Sequence, residues 1–432
     1  MKIDRVKLDG FRGIQSIDIS LDSQLTVLTG VNGAGKSSIL DALAVLLSWV
    51  VARIRHSGGS GRPISEQDIH NMEIQAVIRI EASQPESLCW QLVKSRAGHS
   101  RTDVNTELRN LSDYAKAFQK KISESNEQCN IPMFAYYPVN RAVLDIPLRI
   151  RQSHTFGLLE AWDESLTSAA NFRSFFKWFR NREDLENENR KYLDQLIKPD
   201  NWQFPDRQLE VVRKALEAFL PEFSSFSVRR NPLRMTVLKR NEEVRVEQLS
   251  DGEKCLIALV ADLARRFSIA NPLLGNPLEG EGIVLIDEIG MHLHPGWQRM
   301  VLPKLISTFV NCQFVVSTHS PQILGEIDAN QIRILHQDDN NRIHLSVPQQ
   351  SRGLSSNEIL DEIMQPFTST RILSRRIDDA EKIESVFRLI DEERFTEAAR
   401  EIDRLQDLFH GDTPDLVRAK TLLAMLEPET KE

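Results

Sequence analysis

From Lys2 to Gly30 apolar and polar residues alternate in three short runs, KIDRVKL, IQSIDIS and LTVLTG. A two-residue period sends successive side chains to opposite faces of an extended chain, so these runs are expected as strands. The third enters the glycine-rich stretch TGVNGAGKSS, and residues 35–54 then form an apolar run of helical length. RHSGGSGRPISEQD (55–68) interrupts the pattern with glycine and proline and is expected as a mobile loop. EIQAVIRIEA and LCWQLVKS predict a hairpin, and MFAYYPV a further strand. From about residue 155 to 222 the period turns helical around ESLTSAANFRSFFKWFRNRED. Strands resume at FSVRR and at RMTVLKRNEEVRVEQL, the latter turning at Asn241. A helix from Asp251, the strand GIVLIDE, a helix after Pro295, the strand QFVVSTH and the hairpin IRILHQDDNNRIHLSV follow. The chain closes on three helical runs, AEKIESVFRLIDEE, FTEAAREIDRLQDLF and PDLVRAKTLLAML.

Strands alternating with helices around a glycine-rich turn predict an α/β core. Residues 1–150 and 226–350 read as two lobes of that core, 151–225 as a helical insertion, and 351–432 as a helical C-terminal region.

The glycine-rich turn carries the first chemistry. Gly30–Ser37 reads G-VNGA-GKS, the pattern of a loop whose backbone N–H groups wrap a phosphate. Side chains at the glycines would block that approach, and the strand before and helix after are the required flanks. Gly30, Asn32, Gly33, Ala34, Gly35, Lys36, Ser37 and Ser38 are the candidate nucleotide contacts. Lys36 is expected on the β- and γ-phosphates and the Ser37 hydroxyl on Mg²⁺. The alternative is a glycine turn that only packs a helix on a strand. Hydrolysis also needs a metal-anchoring carboxylate and a base. GIVLIDEIG supplies both: four apolar strand residues deliver Asp287 for Mg²⁺ and Glu288 for the attacking water.

Composition narrows the class. The 432 residues are enough for a sizeable core, and no uninterrupted apolar run reaches membrane-spanning length. Cys89, Cys129, Cys255 and Cys312 show no paired spacing, which argues against zinc and disulfides. A soluble, cytoplasmic protein that does not engage a membrane is the expectation. Residues 378–432 hold 16 acidic and 8 basic side chains, so this tail carries the entire net charge of −8. A separately composed acidic helical module is the simplest reading.

LSDGEK (249–254) resembles the signature of the ABC-type ATPases, with Asp251 and Glu253 in place of Gly and Gln as in the repair and chromosome-maintenance branches. The resemblance implies an ABC-type ATPase head, a P-loop sheet with flanking helices. Its Ser250 and Gly252 would face the γ-phosphate held by another subunit. VVSTHSP places His319 where the family has its switch histidine, expected to act in catalysis with Glu288 and Lys36. VKLDGFRGIQSIDISL resembles the first strands of recombination-mediator and Rad50-like heads, which implies Arg12 near the nucleotide. Asn140 in PVNR lies where the family's Q-loop contacts Mg²⁺ and water, asparagine standing for glutamine.

FAYYPVNRAV, FRSFFKWFRNRED, MHLHPGWQ and NCQFVVSTHSPQIL resemble stand-alone ATP-binding proteins of bacterial defence islands. These include the ATPase subunit of the Septu antiphage system and its retron-associated relatives, which work with an HNH nuclease. The resemblance implies ATP hydrolysis with Mg²⁺, ATP-sandwiched homodimers or higher homo-oligomers, control of an HNH nuclease partner, and direct or indirect contact with DNA. A repair ATPase of recombination-mediator type acting directly on DNA is the alternative, and a scaffold that binds ATP with little turnover is a third.

Some features carry two readings. Phe172, Phe175, Phe176 and Phe179 fall at helical spacing and predict a buried face, while the interleaved bases would suit a contact surface. His292 and His294 lack further metal ligands nearby and are expected to shape a loop. In the tail, Val386, Phe387, Ile390, Phe395, Ala398, Ala399, Ile402, Leu405, Leu408 and Phe409 form apolar stripes. Those stripes either pack on the ATPase core or leave a surface for the nuclease subunit.

Overall fold

The alternating N-terminal runs are strands, as expected. In the computed structural model β1 (Lys2–Phe11) and β2 (Ile14–Ser20) form an antiparallel hairpin, and β3 (Leu25–Gly30) follows. The structure describes residues 1–83, 87–99, 104–139, 156–167, 172–195, 198, 202–338, 342–364, 377–409, 411 and 413–426. It divides into two compact units, Met1–Gly353 and Leu354–Glu432.

Three sheets build the first unit. β4 (Gln75–Ser83) and β5 (Leu88–Ser95) join the N-terminal hairpin in an antiparallel sheet ordered β2-β1-β4-β5. The main sheet adds β6 (Met133–Tyr137), and a third sheet holds β7 (Phe223–Arg230), β8 (Leu233–Lys239) and β9 (Glu242–Arg245). Arg240 and Asn241 turn β8 into β9 with φ of 49° and 70°, the left-handed pair that a two-residue hairpin turn needs. The main sheet is completed by β10 (Gly282–Ile286), β11 (Cys312–Ser317), β12 (Ile332–Gln337) and β13 (Ile343–Ser346). Its order is β13-β12-β3-β11-β10-β6, parallel throughout except for β13. The three chemistry-bearing strands, β3, β11 and β10, are therefore neighbours, and their C-terminal ends lie along one edge, where such sheets bind ligands. The Gln313 amide couples the first two sheets, accepting from the Ile3 N–H at 2.8 Å and donating to the Ile3 carbonyl at 2.7 Å.

α1 (Lys36–Arg55) leaves the glycine turn and has 14 buried residues, so its apolar length serves the core. It is also the one helix among the described residues long and apolar enough to cross a membrane. α2 (Arg109–Glu124) is a helix that the apolar pattern does not predict; only Leu111 and Ala115 are buried in it. α3 (Phe172–Arg190) buries Phe172, Phe175, Phe176 and Phe179, so this stripe is core, and Arg180 on its other side pairs with Asp184 at 3.6 Å. α4 (Arg207–Phe219) starts at an Asp206 cap, and α5 (Asp251–Ala270) at a Ser250 cap; α5 is buried nearly all round. α6 (Pro295–Thr308) and α7 (Pro321–Leu324) follow β10 and β11.

The second unit contains α8 (Ser356–Glu362), α9 (Ile377–Asp391), α10 (Phe395–Phe409) and α11 (Pro414–Leu426). Ile383, Val386, Ile390, Ala398, Ile402, Leu405, Leu416 and Ala419 close into a core shared by its last three helices. Leu408, expected within the stripe, is 52% exposed.

Candidate nucleotide site

The turn from β3 to α1 is built on left-handed backbone, with Gly33 and Gly35 at φ 85° and 91°. At Gly30, φ is 141° and a Cβ would lie 2.2 Å from the Leu335 carbonyl oxygen, so a side chain would push the loop off β12. Gly35 caps α1 without a side-chain bond, and no acidic residue occupies the first turn. The first N–H groups of a 20-residue helix thus have no side-chain acceptor, and the positive end of its dipole favours an anion there. Phosphate oxygens fit that donor set. The Lys36 ammonium folds back over the turn and donates to the carbonyls of Gly30 (2.9 Å) and Val31 (3.0 Å). Burial lowers its pKa, opposed by the carboxylates of Glu288 and Asp287. Asn32, Gly33 and Ser37 are exposed, Gly35 and Ser38 are half-buried, and Ala34 is buried.

β10, buried along its length, delivers Asp287 and Glu288 to the same edge. The Asp287 N–H donates to the Tyr137 carbonyl at 2.8 Å, and its Oδ1 accepts from the Ser317 hydroxyl. Ser317 Oγ also accepts the Glu288 N–H at 2.8 Å. Glu288 sits at φ 48°, a left-handed conformation uncommon for a long side chain, and such outliers gather at functional sites. Its Oε1 is 3.2 Å from His319 Nε2. Burial lowers the His319 pKa, the Lys36 ammonium adds to that, and Asp287 opposes both. The lowered pKa favours the neutral imidazole at pH 7, and its Nε2 lies within hydrogen-bonding reach of the Glu288 carboxylate. Asn32, Glu288, Thr318 and His319 line one cleft of about 570 Å³. The structure thus brings the phosphate loop, both strand-end carboxylates and the histidine together.

Ser250 and Gly252 lie elsewhere. The Ser250 N–H and hydroxyl donate to Glu253 Oε2 at 2.8 and 2.9 Å, while Lys239 holds Glu253 Oε1 at 2.6 Å. Gly252 packs beneath the loop that follows Glu288: a Cβ on it would be 2.4 Å from the His292 carbonyl oxygen. Both line a second cleft of about 750 Å³ with Phe223, Lys239 and Trp297, to which no phosphate-loop residue contributes. The two clefts share only His292.

Arg12, at φ 51° in the β1–β2 turn, pairs with Asp41 of α1 and with Asp68 at 2.8 Å. Asp41, four residues beyond Ser37, also holds Arg62 at 2.9 Å. The expected mobile loop is therefore anchored: the Arg62 N–H donates to Ser48 Oγ at 2.8 Å, and Trp49 Nε1 donates to the Arg62 carbonyl at 2.9 Å. Asn140 lies outside the described residues. Among the described residues no group of three or more His, Cys, Asp or Glu is placed to hold a metal. A serine hydroxyl and a carboxylate completed by nucleotide phosphates are the donors Mg²⁺ accepts, since it keeps water and rarely takes an all-protein cage.

Three further residues support this site without standing out in the sequence. Besides Ser317 and Asp41, Gln298 of α6 donates to the carbonyls of Gly290 and Leu293 at 3.0 Å and accepts from Ser320 Oγ at 2.7 Å. A hydroxyl ending a fully buried strand is the available signal for Ser317; Asp41 and Gln298 leave none, because Arg12 and Arg62 reach Asp41, and Ser320 reaches Gln298, only through the fold.

Residues 2–342 match the family described as RecF/RecN/SMC N terminal domain. Over 404 residues the chain is 33% identical to the retron Vc95 probable ATPase of Vibrio cholerae serotype O1 biovar El Tor, covering 83% of this chain and 77% of that protein. It is 29% identical over 419 residues to the retron Ec83 probable ATPase of Escherichia coli, covering 84% and 76%. The Septu protein PtuA of Bacillus thuringiensis is 22% identical over 383 residues, covering 84% of each chain.

Proposed function

The chain is an ATPase that belongs to the RecF/RecN/SMC N-terminal domain family, and from that premise we propose that it is the nucleotide-gated regulatory subunit of an antiphage defence system. In this reading two copies, or pairs within a larger homo-oligomer, enclose ATP between them and control a partner nuclease of the HNH type. The similarity to retron ATPases and to a Septu protein supports the defence setting. The observation that carries the shared site is the separation of the clefts: Glu288 and His319 line one, Ser250 and Gly252 the other. A second copy is what brings a signature to each phosphate loop.

The geometry supports a role for each residue. The first N–H groups of α1 and the Lys36 ammonium bind the phosphates, the ammonium exchanging its two carbonyl partners for phosphate oxygens. Ser37 and Asp287 would hold Mg²⁺, which when bound offsets phosphate charge. Glu288 accepts a proton from the attacking water, and neutral His319, 3.2 Å away, orients that carboxylate. Ser250 and the start of α5 present a helix N-terminus to the γ-phosphate of the partner copy. The acidic second unit docks the nuclease; its exposed Leu408, Val417 and Met425 offer apolar contacts beside the carboxylates, and a basic partner surface would complement them. A cytoplasmic setting agrees with four free cysteines.

Mixing a Lys36→Ala chain with a Ser250→Arg chain tests the shared site. Each variant alone is expected to be inactive, and verified heterodimers are expected to regain up to one working site in two. No recovered hydrolysis in such heterodimers overturns the reading.

A further inference from the structure

We propose that Ser317 is the positioning residue of this site, setting the Asp287 carboxylate toward the magnesium shell and fixing the backbone of Glu288. The proposal rests on the assignment of Asp287 to Mg²⁺.

Ser317 is the last residue of β11 and is fully buried. The parallel ladder pairs Ile286 with Val316, so one step further along Ser317 stands beside Asp287. A serine hydroxyl can donate one hydrogen bond and accept two. Here it donates to Asp287 Oδ1 and accepts the Glu288 N–H at 2.8 Å. The Ser317 carbonyl takes the next N–H, that of Ile289, at 3.0 Å. One residue therefore binds three consecutive residues of the strand end, while the Tyr137 carbonyl holds the Asp287 N–H from the other side at 2.8 Å.

This arrangement does two things. With Oδ1 tied to a buried hydroxyl, the carboxylate plane of Asp287 cannot turn freely, so its direction is set before any ligand arrives. With its N–H paired, Glu288 keeps the left-handed backbone, φ 48°, that puts its carboxylate beside His319. Alanine at 317 would remove one hydrogen-bond partner from the part-buried Glu288 N–H and one from the buried Asp287 carboxylate. Threonine retains the hydroxyl and suits a strand.

The test uses the full chain with Ser317→Ala, Ser317→Thr and Asp287→Ala. ATP affinity is measured with a fluorescent ATP analogue in EDTA and in Mg²⁺, alongside kcat and the Mg²⁺ concentration for half-maximal rate. In EDTA, Ser317→Ala is expected within about twofold of the unaltered chain. Its Mg²⁺-linked gain in affinity and its kcat should each fall about tenfold or more, the usual cost of losing a partner that orients a metal ligand. Ser317→Thr should restore both. Should Ser317→Ala fail to fold, Ser317→Cys, a weaker donor, is expected to show the same pattern at smaller amplitude. An unchanged Mg²⁺-linked gain in Ser317→Ala, or affinity lost equally in EDTA and Mg²⁺, overturns the proposal. If Asp287→Ala itself keeps the full Mg²⁺-linked gain, the metal assignment falls, and the positioning role with it.

Discussion

Two charged clusters in the nucleotide-binding unit are made from similar groups and sit in opposite environments. On α5, Asp262 lies between Arg265 at 2.8 Å and Arg266 at 2.7 Å, with the Tyr137 hydroxyl at 3.0 Å. All four side chains are buried, and Arg266 spends further donors on the carbonyls of Ala161 and Asp163. Burial alone would raise the Asp262 pKa; Arg266 and Arg265 overcome that and bring it to about 2. At the sheet edge, Lys36, Asp287, Glu288 and His319 form the other cluster. There Glu288 and His319 keep 22% and 33% of their side-chain surface open, Glu288 sits on left-handed backbone, and Lys36 holds only loop carbonyls. The closed cluster has no room for a ligand and serves the fold. The open one is held by Ser317 and Tyr137 from behind and faces a cleft in front. Burial against access to a cleft, rather than residue type, separates structural charge from working charge.

The largest expected effect breaks the closed cluster. Asp262→Ala leaves two buried guanidinium groups without their carboxylate and should cost about 3–5 kcal/mol of stability, read from denaturant unfolding. A loss under about 1 kcal/mol would mean the cluster is not the strut its geometry suggests. Gly252→Ala is next. The added Cβ would lie 2.4 Å from the His292 carbonyl, a backbone atom that cannot step aside alone. About 1–3 kcal/mol of destabilisation is expected from such overpacking, with hydrolysis falling because the loop between the clefts must shift. A melting temperature and rate equal to those of the unaltered chain would show that this contact does not constrain the loop.

The smallest effect is in pH. His319 in the folded chain has a pKa below the ordinary 6.5, so the unfolded chain takes that proton more readily. Its share of stability is present above pH 6.5 and is lost as pH falls from there toward the lowered folded value. The rate should be flat near pH 7 and fall only below the ordinary histidine range, about tenfold per unit, as imidazolium binds Glu288 and withdraws the base. His319→Gln should abolish that acid limb; an identical limb in the variant would assign it to another group.

Much of the open cluster is legible in the sequence because each part is local. The phosphate loop announces itself within Gly30–Ser37, and Asp287, Glu288 and His319 each end an apolar strand. The closed cluster is not legible, since Asp262, Arg265 and Arg266 look like a solvated helix face until β6 and α5 meet. The same holds for Ser317, whose partners exist only through the β10–β11 pairing. Loop 55–68 reads as mobile because glycine marks flexibility locally, whereas Arg62 anchors it to Asp41, 21 residues away. α2 escapes notice because RNLSDYAKAFQKKISE is mostly polar and buries so little. In the tail, periodicity finds the apolar stripe yet includes Leu408, since a repeat of three and four residues does not say which edge of the stripe remains open.

Single-turnover hydrolysis by the Glu288→Gln chain tests the central claim most directly. Glutamine keeps the size and the bound nucleotide but cannot take the proton of the attacking water. The account predicts ATP affinity within about twofold of the unaltered chain and a hydrolytic rate lower by roughly 10²–10⁴-fold. Hydrolysis at the unaltered rate, with ATP bound as tightly, would contradict it.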